Sequence, residues 1–370
     1  MKKKIIFLIH DLGHGGAEKV LINLVNHLDA ERFDVTVQSL FGGGVNEKYL
    51  APYIHYRTSF KKMIPGNSHL MKLLSPQALH RLLIKDTYDV EVSYLEGPCA
   101  RVIAGCPRDG KTKLISWIHG EQNGIAMAAG SFRGAREAEA CYDRFDQTVC
   151  VSETVKQDFQ SIFPQLKEPV VLYNTVESDK IRAAAEEPVE DILFRPEEIN
   201  LISVGTVKEV KGFDRLLPLL QKLRKEGYPA HLYILGTGPD ENKLKAAAKD
   251  QGLGDVFTLV GYRENPYKYV KSADLYVCSS YREGFSTAVT EALIVGTPVV
   301  STNCSGAYEL LGRNNEYGIV TENNEEALYE GLRYMLQNQH YKTYAPKAAE
   351  RGRKFDTENT VRAVERALGE

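Results

Sequence analysis

Residues 283–300 read EGFSTAVTEALIVGTPVV, with two glutamates, Glu283 and Glu291, eight positions apart. Glu283 precedes Gly284 and so belongs to a loop, and Gly284, Phe285 and Ser286 form a turn. Ser286 or Thr287 caps a helix whose first N–H groups lack intrahelical partners and suit phosphate. Glu291 falls about one turn into that helix, and TPVV is a short buried strand. A carboxylate beside a phosphate site repels it unless it has other work. Carboxylate oxygens accept from the neighbouring hydroxyls of a sugar or ribose diol. The stretch therefore fits a ligand with phosphate in its middle and a sugar at each end, a nucleotide sugar. The plainer reading is a helix with acidic residues near its N-terminus, where the dipole favours them.

Outward from that stretch the chain alternates strands and helices. In the first half KIIFLIH, FDVTVQSL, YDVEVSYL, LISWIHG, FDQTVCVS and PVVLYNTV are short, β-rich and bounded by turn residues. KVLINLVNHL carries apolar residues at helical spacing. In the second half INLISVGT, AHLYILGTGP, VFTLVG, DLYVCSS and TPVVST alternate with the amphipathic FDRLLPLLQKLRKEG and with ENKLKAAAKDQG. Such alternation means parallel sheets covered on both faces, hence an α/β chain of two doubly wound domains. The acidic, proline-bearing segment from Thr175 to Glu198 is the expected junction. The last helix spans roughly Thr357 to Leu368. Ligands of such sheets sit at the carboxyl ends of the strands.

The strand-end turns supply further candidates. DLGHGGAE opens the first helix, and Gly13, Gly15 and Gly16 allow close approach to a ligand, although the strict G-x-G-x-x-G spacing is absent. His119 ends the strand of SWIHG. Lys208 and Lys211 lie in SVGTVKEVKGFDRL, and Lys211, beside Gly212, is placed to neutralise a diphosphate. Gly236 lies in LGTGP. Tyr262 and Arg263 in VGYREN can flank a planar base. For each, a structural turn or a solvated side chain is the competing reading.

The totals bound the rest. The 370 residues carry 46 Lys and Arg against 49 Asp and Glu, a net charge of −3 that excludes binding to nucleic acid by bulk electrostatics. The basic start and short run IIFLI imitate a signal peptide, but Asp11 and the lack of a small-residue cleavage site favour a first strand. The six scattered cysteines read as free thiols of a reducing cytoplasm. No apolar segment is long enough to cross a bilayer. Between Lys48 and Lys85 no acidic residue occurs, while Arg57, Lys61, Lys62, Lys72, Arg81 and Lys85 are interleaved with tyrosines, Phe60, Met63, Leu70, Met71, Leu73 and Leu74. That is either an anionic-membrane or acceptor patch on a peripheral protein or an ordinary solvated face.

GGAE, KGFDRL, LGTGP, GYREN, the E-x7-E of EGFSTAVTE and ALIVGTPVVST resemble, in order and over nearly the whole chain, the retaining glycosyltransferases of family 4. The resemblance implies the GT-B fold, two Rossmann-like domains facing across a deep cleft. Residues 1–175, with a returning helix at 356–370, would form the acceptor-side domain, and 176–355 the donor-binding domain. By the same resemblance Glu283 and His119 face the donor sugar. Gly284, Phe285 and Ser286, with Thr287, meet sugar and phosphates through N–H groups. Glu291 holds the ribose, Lys211 grips the diphosphate, and Gly15 and Gly16 approach it. One departure stands out: members usually have arginine where this chain has Thr206, leaving Lys208 or Arg282 to substitute.

The expected reaction is retaining transfer of a hexose or N-acetylhexosamine from a nucleoside diphosphate sugar, UDP before GDP, to a glycan or lipid-linked glycan in surface polysaccharide synthesis. It is expected to need no bound metal. A glycosidase with Glu283 and Glu291 as its carboxyl pair and a non-catalytic nucleotide-sugar or glycan-binding protein are the competing functions.

Overall fold

The structure, a computed structural model, describes residues 2–369 apart from 14, 63–70, 109 and 193. The chain divides into two compact units, Met1–Val176 with Glu358–Glu370, and Glu177–Thr357.

The first unit holds a seven-stranded sheet of β1 (Lys3–Ile9), β2 (Phe33–Phe41), β3 (His55–Phe60), β4 (Val90–Ser93), β5 (Lys113–Ile118), β6 (Gln147–Cys150) and β7 (Val170–Val171) in the order β3-β2-β1-β4-β5-β6-β7. Every pairing is parallel, and Ile5 of β1 lies between Val35 of β2 and Val90 of β4. Ile5 through Ile9 are all fully buried, which is why β1 reads as a continuous apolar run and not an alternating one. The helix Gly16–Val25 buries Val20 through Val25 against this sheet's core. The expected strand PVVLYNTV forms only over Val170–Val171.

The second unit repeats the plan with β8 (Ile199–Val204), β9 (Ala230–Leu235), β10 (Phe257–Gly261), β11 (Leu275–Cys278), β12 (Val299–Thr302) and β13 (Ile319–Thr321) in the order β10-β9-β8-β11-β12-β13, all parallel. The amphipathic helix Leu216–Lys225 turns Leu216, Leu217, Leu220 and Leu223 onto Leu232, Ile234, Leu275 and Val277. Each such buried leucine contributes about 1.5–3 kcal/mol of transfer free energy. The acidic junction segment is not merely a linker, since Ser178–Ala185 is helical and opens the second unit.

In both sheets the strand order reverses beside the first strand, between β1 and β4 and between β8 and β11. Loops leaving these neighbouring strands diverge to opposite faces and leave a crevice at their carboxyl ends. Gly205 and Thr206 follow β8, and Ser279 through Glu283 follow β11, so topology alone brings these segments together.

The final helix, Thr357–Leu368, is anchored in the first unit. The Asp29 N–H donates to Glu365 Oε1 at 3.0 Å, and Lys113 Nζ donates to the Ala367 carbonyl at 2.7 Å.

Candidate functional site

The loop after β11 is held from beneath. Thr302 Oγ1, on the adjacent strand β12, donates to the Ser280 carbonyl at 2.7 Å, and the Tyr281 N–H donates to the Val210 carbonyl at 2.9 Å. Arg215, 3% exposed, sends Nη1 to the Ser279 carbonyl at 3.2 Å and to Asn323 Oδ1 at 2.8 Å, and its guanidinium lies 4.4 Å from the Tyr281 ring centroid. Asn323 in turn donates to the Tyr281 carbonyl at 3.0 Å. A buried guanidinium with several fixed partners makes this loop a rigid platform.

The segment after β8 docks on the same platform. Ser279 Oγ donates to the Lys211 carbonyl at 2.9 Å. Gly212 has φ 61°, and a Cβ there would lie 2.3 Å from the Ser279 carbonyl oxygen, so only glycine permits this approach. Lys211 Nζ is thereby set 2.6 Å from Glu283 Oε1, and Ser280 Oγ donates to that same oxygen at 2.6 Å. Both side chains are largely buried, at 21% exposed for Lys211 and 14% for Glu283.

The helix Thr287–Val295 begins directly after Glu283–Ser286. Ser286 is its N-cap, accepting from the Val289 N–H at 3.4 Å, and Gly296 ends it in the left-handed region. The remaining first-turn N–H groups follow Glu283 closely along the chain, and Glu283 is itself paired with Lys211. Glu291, on this helix, accepts from the Tyr267 hydroxyl at 3.3 Å. The Phe285 side chain is buried, packed on Gly306 and facing Phe355 at 6.1 Å between centroids; its ring is structural.

Gly236 packs against Gly205 so closely that a Cβ would lie 2.0 Å from the Gly205 carbonyl oxygen. Thr206 is exposed, as are Lys208 and Arg282. Tyr262 is exposed and available to stack, but Arg263 is committed elsewhere: its Nε donates to Asp191 Oδ2 at 2.8 Å and to the Tyr269 hydroxyl at 3.2 Å. A base contact by Arg263 would compete with these bonds.

In the first unit, Gly15 is the N-cap of Gly16–Val25, and Gly16 has open space where a Cβ would stand. Glu18 folds back over Gly15, its carboxylate occupying the space a Gly15 side chain would need. Burial pushes the Glu18 carboxyl up, opposed by its bond to a backbone N–H. An anion at this helix end has to displace that carboxylate, a contact that sequence reasoning missed.

His119 follows β5. Its ring bonds the Tyr94 carbonyl, and because Nε2 is the nitrogen with no partner, Nδ1 is the donor. Burial holds its pKa down to about 3. The ring is thus neutral near pH 7, and its Nε2 is buried with no hydrogen-bond partner. Glu96 braces the same turn, accepting from the His119 N–H at 3.1 Å and from Gln122 Nε2 at 3.1 Å.

The basic residues between Lys48 and Lys85 do not form one patch. Arg57 pairs with Asp86 at 2.6 Å and donates to Gln38. Arg81 and Lys85, on and just past the helix Pro76–Leu83, lie with Arg57 toward the start of the strands. Lys61, Lys62 and Lys72 belong to the connection that leaves the far end of β3. Next to Lys72, Leu73 is 74% exposed, and its turn is fixed by Arg101, which donates to the Met71 and Leu74 carbonyls, and by Arg133, which donates to those of Lys72 and Leu73. Met63 and Leu70 lie outside the described residues.

Residues 185–355 match the family described as Glycosyl transferases group 1, and residues 14–180 match Glycosyltransferase Family 4. The two family models together span most of the chain, which is a glycosyltransferase. A curated relative from Campylobacter jejuni, N-acetylgalactosamine-N,N'-diacetylbacillosaminyl-diphospho-undecaprenol 4-alpha-N-acetylgalactosaminyltransferase, is 28% identical, covering 99% of this chain and all of that one. An uncharacterized glycosyltransferase of Haemophilus influenzae is 27% identical over 91% of each chain. Among solved structures, Anabaena Alr3699/HepE in complex with UDP superposes with a TM-score of 0.77 at 18% identity, covering 100% and 99% of the two chains. This glycosyltransferase therefore has the GT-B fold, with two Rossmann-like parallel-sheet domains. Among the described residues no helix is long and apolar enough to cross a membrane.

Proposed function

We propose that this glycosyltransferase moves a hexose or N-acetylhexosamine, with retention at the anomeric carbon, from a UDP-sugar to a lipid-linked glycan in surface polysaccharide synthesis. The observation that carries the proposal is the Lys211–Glu283 pair at the N-terminus of the helix Thr287–Val295. A departing diphosphate gains negative charge, and stabilising that charge is the main catalytic task. Lys211 supplies a cation, and the Gly284–Thr287 backbone supplies N–H donors. Both observed bonds to Glu283 fall on Oε1, and its second oxygen serves donor-sugar hydroxyls. Glu291 accepts from ribose hydroxyls, and Tyr262 stacks on the base. With Lys211 and the helix end carrying the charge, no metal is required.

The donor and acceptor classes draw support from two comparisons. The Campylobacter relative is named for transfer to a diphospho-undecaprenol-linked sugar, and the Anabaena structure contains UDP. Lys61, Lys62 and Lys72, interleaved with exposed Phe60, Leu73 and Leu74, suit an anionic membrane surface where such an acceptor resides.

The test is incubation with a panel of UDP- and GDP-sugars and a polyprenyl-diphosphate-linked sugar, reading nucleotide release and the product's anomeric configuration by NMR. Acceptor-dependent UDP release with retained configuration is expected. Nucleotide binding without turnover on any acceptor would instead mark a binding protein, and inversion would remove the retaining assignment.

A further inference from the structure

A cluster of metal-ligating side chains lies in the first unit, at the starting end of β4. His80 comes from the helix Pro76–Leu83, Glu91 from β4, and Cys106 from just beyond the helix Pro98–Ile103. Their ligating atoms all lie within 4.8 Å of one another, and the residues are only 8%, 2% and 4% exposed. The convergence is built into the backbone. A Cβ at Gly105 would lie 1.9 Å from the Pro76 carbonyl oxygen, so glycine there lets the two helix ends meet and brings Cys106 alongside His80.

A carboxylate buried in a central strand is costly without a partner. His80 Nε2, 2.8 Å from Glu91 Oε2, supplies one. That pair has no need of a thiol, yet a third donor stands within reach. The three also line a cavity of about 860 Å³, with room for a water, whose wall carries Asp86 and Asp89 together with Lys4, Arg81, Lys85 and Lys111.

We propose that His80, Glu91 and Cys106 form a three-ligand site for a divalent transition ion of the zinc class, with the cavity filling the fourth position. Nitrogen, oxygen and sulfur donors together are the set such borderline ions take. Neutral imidazole, carboxylate and thiolate carry two negative charges, which a divalent ion balances. Zinc–nitrogen and zinc–oxygen bonds of about 2.0–2.2 Å in tetrahedral geometry separate two ligand atoms by roughly 3.3–3.5 Å. Loading therefore parts the His80–Glu91 hydrogen bond by about half an ångström, and the bound ion clamps both helices to β4. This site is independent of the sugar-transfer reading, since none of its residues belongs to that machinery.

The test titrates the metal-stripped, reduced full-length protein with Co²⁺ and reads the thiolate-to-cobalt charge-transfer absorption, with Zn²⁺ competition and the shift in Tm. One equivalent of Co²⁺ is expected to produce the band, and Zn²⁺ to abolish it and raise Tm. C106S keeps the side chain's size and is expected to lose the band and to weaken binding on the order of a hundredfold, at least what loss of a mere outer partner costs. H80Q should do the same, and C106S carries the test if H80Q does not fold. The double variant C278S/C304S, altered in the other unit, should retain the band. No band with the wild type, or a band that survives C106S, would overturn the assignment.

Discussion

Lys211 Nζ and Ser280 Oγ converge on a single atom, Glu283 Oε1, each at 2.6 Å. The cation proposed for the diphosphate and the carboxylate proposed for the sugar are thus already coupled, and each orients the other. Replacing either should be costly but in different ways. E283A should lower kcat about 10²–10³-fold, the range for loss of one preorganised transition-state contact, while leaving UDP affinity within a few-fold. K211A should lower kcat and weaken UDP binding together. Kinetics paired with calorimetry checks this, and normal turnover in E283A would remove Glu283 from the site.

Thr206, where the family resemblance leads to the expectation of an arginine, is exposed just after β8. T206R adds a cation near the proposed diphosphate position and should tighten UDP binding about tenfold, equivalent to about 1.4 kcal/mol. If Lys208 or Arg282 already does that work, T206R will change little, and K208A or R282A will lose the affinity instead.

Backbone geometry yields a stability prediction. Gly236 has φ 134° and contacts the Gly205 carbonyl, whereas Gly227, φ 93°, has open space around its missing Cβ. Both alanine variants incur conformational strain of about 1 kcal/mol, but only G236A adds a backbone clash. Differential scanning calorimetry should show G236A losing clearly more Tm than G227A. Equal losses would mean that the β8 and β9 turns can separate freely.

His119 makes a pH prediction with a defined sign. Its folded pKa, about 3, lies below the ordinary histidine value of about 6.5. Above that value the ring is neutral in both states and costs nothing. As pH falls from about 6.5 toward 3 the unfolded chain takes up a proton that the folded chain refuses, so stability declines. His231, also lowered by burial, adds to the same trend. Denaturant melts of H119N between pH 7 and 4 should show a shallower decline than the wild type. His119 should contribute no limb to the activity profile near pH 7.

Much of this was legible in the sequence because each cue was local. The helix after EGFS starts at Thr287 with Ser286 as its cap, and the last helix spans Thr357–Leu368. Strand periodicity and glycine turns located the loops after β8 and β11. Contacts that depend on distant residues were not legible. Arg215 looks like a surface residue in KGFDRL, yet it is buried because Asn323, more than a hundred positions later, returns to meet it. The basic run from Lys48 to Lys85 looked continuous, but a strand spends about 3.3 Å per residue, so β3 and the following helix carry its members to opposite ends of the sheet. His80 and Glu91 are drawn together only when helix and strand pack.

The reduced basic cluster gives one further expectation. Charge reversal of Lys61, Lys62 and Lys72 to glutamate should abolish sedimentation with anionic liposomes while sparing UDP binding. Reversal of Arg81 and Lys85 should have little effect. Equal loss from both sets, or no preference for anionic lipid in the wild type, would remove the membrane proposal.

The most direct test of a nucleotide-sugar site built on Lys211 and the helix Thr287–Val295 is calorimetric titration of the purified protein with UDP, with GDP in parallel. One UDP per chain, bound more tightly than GDP and weakened at least tenfold in K211A, is the expected result. Binding of neither nucleotide to a folded protein, or UDP binding that K211A leaves unchanged, would contradict it.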